Sequence, residues 1–294
     1  MGFIKQLLNG LQLGSIYALI AIGYTMVYGI VQLINFAHGD IIMVGGYICI
    51  MLIPILAQFG IPAWISVFGA VVLCAILGVL IEIVAYKPLR NSPRMSALIT
   101  AIGVSLFLEN LFMLLFSPDP RNVPQMFNVT MPSIGGFNLS FPTLITIIVS
   151  VLIMIGLQVF IKKTKIGKAM RAVSEDTDTA RLMGVNVNAT ISITFAIGSG
   201  LAAVATVLYA SAYPQIDPLM GSFIGIKAFI AAVLGGIGLI PGAMVGGIVL
   251  GVAESLAKAY ISSQLADAVV YGILIIVLLV KPSGILGKNR SEKV

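Results

Sequence analysis

The chain has 294 residues, of which 59% are hydrophobic and only 10% are charged, and its mean hydropathy is +1.08. Soluble domains carry about 25% charged residues, so this composition excludes a soluble globular protein and indicates one embedded in the lipid bilayer. The net charge of +6 does not indicate a nucleic-acid partner, because the basic residues are dispersed over short loops.

The apolar runs are nearly continuous and about twice as long as the roughly ten-residue strands of a membrane barrel. Backbone polar groups in lipid must be satisfied internally, which leaves helices as the alternative to closed barrels. We therefore expect an all-α polytopic membrane protein with about 8–10 transmembrane helices, some of them broken. We expect residues 1–294 to form a single transmembrane domain.

The apolar runs also predict where the helices lie. We expect a short interfacial helix at the N-terminus, followed by spans at about 14–33, 41–59, 63–86, 95–116, 143–161, 189–210 and 266–280. Residues 222–260 are apolar but are interrupted by GGIGLIPG, so they form either two short spans or a re-entrant pair. The Pro-rich loop 117–140 is not expected to be regular helix throughout.

Lys and Arg in short loops set the orientation of such a protein. The segments 87–94, 162–181 and 281–293 hold 13 of the 17 basic residues, whereas the loop 117–140 holds only Arg121. The three basic segments, and with them the C-terminus, are therefore expected in the cytoplasm. Counting spans back from residue 87 puts the N-terminus outside, although one extra N-terminal span would reverse it.

The segment 162–188 interrupts the apolar pattern with KKTKIGKAMRAVSEDTDTARLMGVNVN. Its first lysines suit an anchor at the membrane surface. Ser174 or Asp176 can cap a helix, acidic residues follow in its first turn, and Gly184 suits the position just after a helix. We predict two short helices, at about 168–173 and 177–183. Ala172, Val173, Ala180, Leu182 and Met183 give these helices small and apolar contact residues, which favours a docked protein partner over a solvated connector.

Several stretches resemble the permeases of branched-chain amino acid ABC importers. They are GKAMRAVSEDTDTARLMGVNV, GSIYALIAIGYTMVYGIVQLINFAHGDIIMVGGY, VAYKPLR, KAFIAAVLGGIGLIPGAMVGGIVLGVAE and LLVKPSGILG, which together run nearly from end to end of the chain. The resemblance implies a multi-pass permease of the bacterial inner membrane that carries Leu, Ile, Val or related amino acids. Similar permeases import urea or short-chain amides, so these compounds remain the alternative cargo.

The resemblance also implies partners. These are a second related permease, giving a heterodimer, two cytoplasmic ATPases, and a periplasmic or surface-anchored substrate-binding protein. No phosphate-binding GxxxxGK[ST] occurs in the chain, so ATP hydrolysis is expected on separate subunits. By the resemblance, the ATPase would dock on residues Gly167, Lys168, Arg171, Ala172, Glu175, Asp176, Arg181 and Gly184.

A second set of residues is a candidate for the translocation path. Asn35, His38 and Asp40 lie at a polar helix break, and polar groups at membrane depth usually face the interior or a cavity. The alternative is that they are solvated or cap a helix. Gly236 and Gly238 lie in the second break and suit a hinge or pore-lining turn, although close helix packing is the default for such glycines. One histidine beside one carboxylate does not make a metal site.

The remaining membrane-embedded charges have mainly structural interpretations. Glu254 and Lys258 are spaced to pair on one helix face, Glu82 has Lys87 or Arg90 to neutralise it, and Lys227 is expected to extend towards the interface.

Two other function classes compete with the importer. An ion-coupled secondary transporter would need intramembrane carboxylates, for which Glu109 and Glu254 are candidates, but it leaves the cytoplasmic helices unexplained. A membrane enzyme has no supporting HExxH or GxSxG motif. Finally, the stretches 34–47 and 216–229 each join a polar break to a Gly-interrupted helix, which suggests an inverted repeat.

Overall fold

A computed structural model describes residues 2–90, 92–124 and 140–287, and the fold within these ranges is helical. Most of the loop 117–140 and the last basic residues lie outside them. The elements in chain order are α1 Gly2–Val31, α2 Ala37–Gln58, α3 Ser66–Ile81, α4 Arg94–Phe116, β1 Arg121–Asn122, α5 Phe141–Lys163, α6 Lys165–Glu175, α7 Thr177–Leu182, α8 Val187–Ala212, β2 Gln215–Ile216, α9 Met220–Gly235, α10 Ile240–Tyr260 and α11 Ala266–Val280. The short strands β1 and β2 pair antiparallel.

The all-α membrane architecture is confirmed. Seven helical segments in the described ranges are long and apolar enough to cross a membrane, and the third extends over Ala63–Leu89 because short 3-10 and π turns flank α3. The apolar helices α9 and α11 are shorter, with 16 and 15 residues. At 1.5 Å per residue they reach only about 24 Å, which is less than the roughly 30 Å hydrocarbon core of a bilayer.

The N-terminal prediction was wrong, because α1 is one continuous helix and not an interfacial helix followed by a span. Polar residues near the start of α1, among them Gln6 and Gln12, make hydrogen bonds to neighbouring helices. Gln6 donates its amide to the Ser255 carbonyl, and the Ser255 hydroxyl donates to the Gln6 carbonyl. Gln12 accepts a hydrogen bond from the Thr143 hydroxyl. These contacts with α5 and α10 allow α1 to keep its polar first turns.

The predicted break within 222–260 separates α9 from α10. The chain turns at Gly236 and Gly238, whose φ values are +109° and +90°, in the left-handed region that glycine reaches without strain. The two helices then pack antiparallel, so closely that Gly235 lies against the backbone of Gly242 and Gly246 against that of Ala231. Small residues at these positions allow the close approach.

The packing has the pattern that an inverted repeat predicts. The two repeats correspond to the helix groups α1–α3 and α8–α10. Helix α1 packs most extensively on α10, and α8 packs most extensively on α3, so the first helix of each group lies against the third helix of the other. The second helices, α2 and α9, meet each other. Gly39 and Gly221 hold the same position in the two 14-residue stretches, and their backbones touch at this meeting point.

The helices divide into an inner and an outer set. The most apolar windows of α1 and α8 are 78% and 72% buried, whereas those of α4 and α5 are only 17% and 22% buried. Leu114 and Leu152 are among the large apolar side chains that α4 and α5 leave exposed. Such side chains are expected to face lipid or another membrane subunit, and the polar groups described below belong to the inner set.

Candidate functional site

The polar segment folds into the two short helices α6 and α7, each with a side-chain cap. Thr164 precedes α6, and its hydroxyl oxygen accepts a hydrogen bond from the Gly167 N–H at 3.0 Å. Asp176 precedes α7 and accepts from the N–H groups of Asp178 and Thr179 at 2.9 and 3.1 Å. The two predicted helices are confirmed. Of the two candidate caps of the second helix, Asp176 caps α7 and Ser174 does not, and α6 starts earlier than predicted because Thr164 caps it.

Asp176 is fully exposed and is a charged cap. The Thr179 hydroxyl donates to its second carboxylate oxygen at 2.6 Å. This hydrogen bond, together with the two backbone N–H groups, lowers the pKa of the Asp176 carboxyl below its ordinary value. At the other end of α7, Gly184 has φ +82°, as the predicted position after the helix requires. The segment therefore has defined ends and is not a loose connector.

One face of α6 and α7 packs onto the helices behind it. Gly167 lies against the Ile161 backbone with no room for a side chain, and Met170, Val173 and Ala180 are buried. The other residues that the resemblance implicates in ATPase docking are exposed on the remaining sides of α6 and α7, and they are Lys168, Arg171, Ala172, Glu175, Asp176, Arg181 and Gly184.

Two large apolar side chains extend this exposed face. Leu182 is 88% exposed and Met183 is 80% exposed. They sit at the end of a capped helix, outside the helices that are long enough to cross a membrane. Exposed apolar groups beside charged ones are typical of a surface that another protein covers.

A cavity of about 920 Å³ lies behind α6. Arg171 and Glu175 line it from α6, Thr25 lines it from α1, and Gly238 and Pro241 line it from the break between α9 and α10. The structure thus brings the predicted docking helix and one predicted path residue to the two sides of a single space.

The C-terminal segment, residues 281–287, closes part of this cavity. The N–H groups of Ile285 and Leu286 donate to the carbonyls of Leu234 and Gly235 at 2.8 and 3.1 Å, so the segment satisfies the open carbonyl end of α9. Gly236 lies directly against the backbone of Gly287. Gly236, which was predicted with Gly238 as a path residue, therefore packs on the C-terminal segment next to the cavity.

Asn35, His38 and Asp40 do not line this cavity. They are 2%, 1% and 0% exposed. Asn35 accepts a 2.7 Å hydrogen bond from the Tyr86 hydroxyl, and the His38 ring packs edge-on against Tyr24 at 4.7 Å. Neither carboxylate oxygen of Asp40 has a hydrogen-bond partner within the described structure. The predicted path residues are thus separated: Gly236 and Gly238 lie at the large cavity, and Asn35, His38 and Asp40 lie elsewhere in the bundle. The alternative that Asn35, His38 and Asp40 are solvated is wrong, because all three are buried.

The predicted ion pairs form. Glu82 is fully buried and pairs with Arg90, and Lys258 lies 2.7 Å from Glu254. Lys227 also forms ion pairs that were not predicted, because its Nζ lies 2.8 Å from Glu254 and 2.7 Å from Asp267. Local spacing carries no signal of partners that lie 27 and 40 residues away along the chain.

Sequence reasoning also missed two residues of the large cavity. Thr25 is 1% exposed and its hydroxyl has no hydrogen-bond partner among the described residues, and Gln158 lines the same space from α5. Both are single polar residues within apolar runs, and such an interruption is the signal that could have found them. The described residues contain no group of three or more His, Cys, Asp or Glu side chains that could hold a metal ion.

Comparison with known proteins gives one family. Residues 6–279 match the family described as "Branched-chain amino acid transport system / permease component". The chain belongs to this family. As a permease component it is a transport subunit, in agreement with the expectation that it is not itself an enzyme.

The permease is also similar to curated proteins over nearly its whole length. It is 48% identical to the high-affinity branched-chain amino acid transport system permease protein LivH of Salmonella typhimurium and to LivH of Escherichia coli strain K12, over 99% of this chain and 98% of each relative. It is 46% identical to the corresponding protein BraD of Pseudomonas aeruginosa, with the same coverage. No solved structure matches the permease.

Proposed function

We propose that this permease forms the membrane path by which an ATP-driven importer carries leucine, isoleucine and valine into a bacterial cell. The names and high identity of its LivH and BraD relatives support this cargo. Urea or a short-chain amide is the alternative cargo, and no contact in the described structure favours it. In this proposal residues 1–294 act as one permease domain.

The observation that carries the mechanism is the shared cavity. Helix α6 forms one wall through Arg171 and Glu175, and the break at Gly238–Pro241 forms another. A displacement of α6 changes the width of this space directly, without an intervening element. The cavity is therefore the cytoplasmic mouth of the path, and α6 is the lever that opens and closes it.

The exposed face of α6 and α7 is the surface on which an ATPase subunit docks. Leu182 and Met183 supply apolar contacts, and Lys168, Arg171 and Arg181 supply charge around them. The caps at Thr164 and Asp176 fix the ends of both helices, so a force applied to this face moves the segment as a unit. The two states of the transporter then differ in contacts at this surface, as a ligand-driven switch requires.

The rest of the assembly follows from the family resemblance. A second related permease completes a heterodimer, two ATPases bind from the cytoplasm, and a periplasmic or surface-anchored protein delivers the amino acid. The distribution of Lys and Arg supports a cytoplasmic location for α6, α7 and the C-terminus, in the inner membrane. The ion-coupled alternative is weakened at Glu254, because two lysines already neutralise this carboxylate.

The test separates docking from folding. We expect Arg171→Glu, Glu175→Lys and the double change Leu182→Ser/Met183→Ser to reduce ATP-dependent leucine uptake by at least about tenfold, which corresponds to about 1.4 kcal/mol at the docking surface. The assay uses vesicles that hold the full set of transporter subunits. Membrane insertion and the thermal unfolding temperature should stay close to wild type, because these side chains are exposed.

Lys5→Glu is the matched control. Lys5 is exposed at the N-terminal end of α1, whereas the part of α1 that lines the cavity lies near its C-terminal end. It should leave uptake and ATP hydrolysis unchanged. Unchanged uptake in the docking variants, or uptake without an ATPase subunit, would contradict the proposal. The cargo is tested separately by competition between leucine, isoleucine, valine, urea and acetamide.

A further inference from the structure

Two buried hydroxyl groups on α5 have no hydrogen-bond partner. Thr146 and Ser150 are both 0% exposed, and neither hydroxyl is paired within the described structure. A Ser or Thr inside a helix can donate to the carbonyl four residues earlier, as four residues of α8 do, namely Thr190, Thr194, Thr206 and Ser211. A buried polar group without a partner is costly, so the two hydroxyls of α5 need a partner in another state of the protein.

Both hydroxyls lie on the face of α5 that packs on α1. The buried residues of α5 recur at every third or fourth position from Thr143 to Ile161, which is one helical face, and α1 is the helix that α5 contacts most extensively. The Thr143 hydroxyl donates to the side-chain oxygen of Gln12 at 2.8 Å, whereas the Gln12 amide nitrogen has no partner among the described residues. Residues 12–25 of α1 and 143–158 of α5 are called the α1–α5 seam below.

The α1–α5 seam ends at the large cavity behind α6. Thr25 lines this cavity from α1 and Gln158 lines it from α5, and the buried Thr25 hydroxyl is also unpaired in the described structure. At 1.5 Å per residue, the two helices cover about 20 and 22 Å between the Gln12–Thr143 contact and the cavity. Unpaired polar groups therefore follow the seam across most of the roughly 30 Å hydrocarbon core.

The chemistry of the seam suits an amino acid with an apolar side chain. Hydroxyl oxygens can accept hydrogen bonds from an ammonium group, and the Gln12 amide can donate to a carboxylate. Met154 and Leu157 add buried apolar surface on the same face of α5, and no charged side chain is buried on that face. Neutral polar groups can bind a passing amino acid weakly enough to release it, as transport requires.

Helix α5 is joined firmly to α6 and only lightly to the rest of the bundle. Thr164 is the single residue between the two helices, and its hydroxyl donates to the Phe160 carbonyl at 2.8 Å while it accepts from the Gly167 N–H. The most apolar window of α5 is only 22% buried, compared with 78% for α1. A displacement of α6 therefore carries α5 with it, and α5 can leave α1 with little loss of buried surface.

We propose that the α1–α5 seam is the closed section of the translocation path, and that Gln12, Thr146 and Ser150 bind the amino acid when α5 separates from α1. This inference rests on the proposed function, because it names the route that the same cargo takes from the outer side to the large cavity. The unpaired groups raise the free energy of the closed seam, and they gain partners on the amino acid and its water when the seam opens.

Removing the hydroxyls distinguishes this role from a structural one. In the vesicle assay, Thr146→Val and Ser150→Ala should each reduce leucine uptake by about tenfold, because a hydrogen bond to a charged group of the cargo is lost. The same changes should raise the unfolding temperature by at least about 2 °C, because an unpaired buried hydroxyl is removed. Thr146→Ser and Ser150→Thr keep a hydroxyl and should transport as the wild type does.

Thr194→Val is the matched control for the hydroxyl variants. Thr194 is also 0% exposed, but its hydroxyl already donates to the Thr190 carbonyl. The variant should transport as the wild type does and should not gain stability. A hydroxyl that serves only to hold the fold would give a lower unfolding temperature when it is removed, and this result at Thr146 or Ser150 would overturn the proposal.

Cysteine labelling tests the opening itself. Thr146→Cys and Ser150→Cys should react with a membrane-impermeant cationic thiosulfonate at rates that differ at least about tenfold between the nucleotide-free and ATP-bound transporter, because a state populated at about 0.1–10% becomes dominant. Leu152→Cys is the control, since Leu152 is 63% exposed on the other side of α5, and its rate should not change. The parent protein, whose Cys49 and Cys74 are buried, gives the background.

The outcomes separate the seam from the proposed function. Equal labelling rates in both nucleotide states, or full uptake in Thr146→Val and Ser150→Ala, would overturn the seam as the path while the wild type still carries leucine. Absence of ATP-dependent leucine uptake by the wild type would instead contradict the proposed function. If a hydroxyl variant fails to fold, the labelling of the cysteine variants decides.

Discussion

Gly39 and Gly221 touch reciprocally: a Cβ added to either residue would lie 2.6 Å from the carbonyl oxygen of the other. Real Cβ atoms essentially never come this close to another heavy atom. The N-terminal turns of α2 and α9 therefore meet backbone against backbone. This contact holds the junction of the two three-helix groups together, and it sets the position of Asp40 immediately beside it.

The first prediction follows from that contact. Gly39→Ala and Gly221→Ala should each destabilise the permease by about 1–3 kcal/mol, the usual cost of overpacking, because the neighbouring atom belongs to backbone and cannot rotate away. The measurement is the thermal unfolding temperature in nanodiscs. Gly156→Ala is the control, since Gly156 lies in a helix where an added Cβ would meet nothing within 4 Å. It should be neutral or stabilising by up to about 1 kcal/mol. Equal behaviour of the three variants would contradict the close contact.

The second prediction concerns the buried pair Glu82 and Arg90. Arg90→Met should destabilise the permease by about 3–5 kcal/mol, because among the described residues it leaves the fully buried Glu82 with only the Ser192 hydroxyl as a partner. The double change Glu82→Gln/Arg90→Met removes both charges and should recover most of the loss. Lys5→Met, at an exposed position, should change the unfolding temperature little. A double variant that is no better than Arg90→Met would show that the pair does not act as a unit.

The third prediction is a pH dependence at Asp176. Its hydrogen bonds hold the pKa of the folded carboxyl below that of the unfolded segment, so ionisation favours the capped helix. The contribution is fully present above the unfolded pKa and is lost as the pH falls through the folded pKa. Amide protection of residues 177–182, measured by hydrogen exchange and corrected for intrinsic rates, should therefore fall over that acidic range.

Asp176→Asn keeps a capping oxygen without a titrating charge, and is the matched control. Its amide protection should be retained at neutral pH and should show a weaker dependence on acid. Asp176→Ala should lose protection at every pH. An acid response in the asparagine variant as large as in the wild type would assign the effect to another group.

Features that depend on local chemistry are the ones that the sequence predicts best. The caps of α7, the break at Gly236 and Gly238, and the Glu254–Lys258 pair all rest on residues a few positions apart, where spacing alone fixes the geometry. The predicted start of α6 was wrong by three residues, because the Thr164 cap lies among lysines whose charge indicates only a membrane anchor.

Long-range partners could not be predicted in the same way. Composition shows that Lys227 is costly in lipid, but it does not show that Asp267 lies 2.7 Å away. The cavity behind α6 likewise depends on how α1, α5 and the C-terminal segment converge, since each contributes only one wall. Asn35, His38 and Asp40 stand out as polar residues at membrane depth, yet the space into which they pack is formed by helices far away in the sequence.

The fourth prediction compares two lysines that share one carboxylate oxygen. Lys227 and Lys258 lie 2.8 and 2.7 Å from Oε1 of Glu254, but their side chains are 14% and 41% exposed, and only Lys227 also reaches Asp267. Lys227→Met should cost about 1.5–3 kcal/mol, the range for a hydrogen bond to a charged group. Lys258→Met should cost less, about 1 kcal/mol, because the Lys258 side chain is 41% exposed and Lys227 still neutralises Glu254.

The double variant Lys227→Met/Lys258→Met distinguishes a shared network from two independent pairs. Within the described ranges it leaves the buried Glu254 with only the Tyr17 hydroxyl, which donates at 2.8 Å, so its cost should exceed the sum of the single changes and approach about 3–5 kcal/mol. Thermal unfolding in nanodiscs gives all three values. Adding Glu254→Gln to the double variant should restore stability, because the uncompensated charge is then gone. Strict additivity, or no recovery on removing that charge, would mean that each lysine acts through its own packing and not through the shared carboxylate.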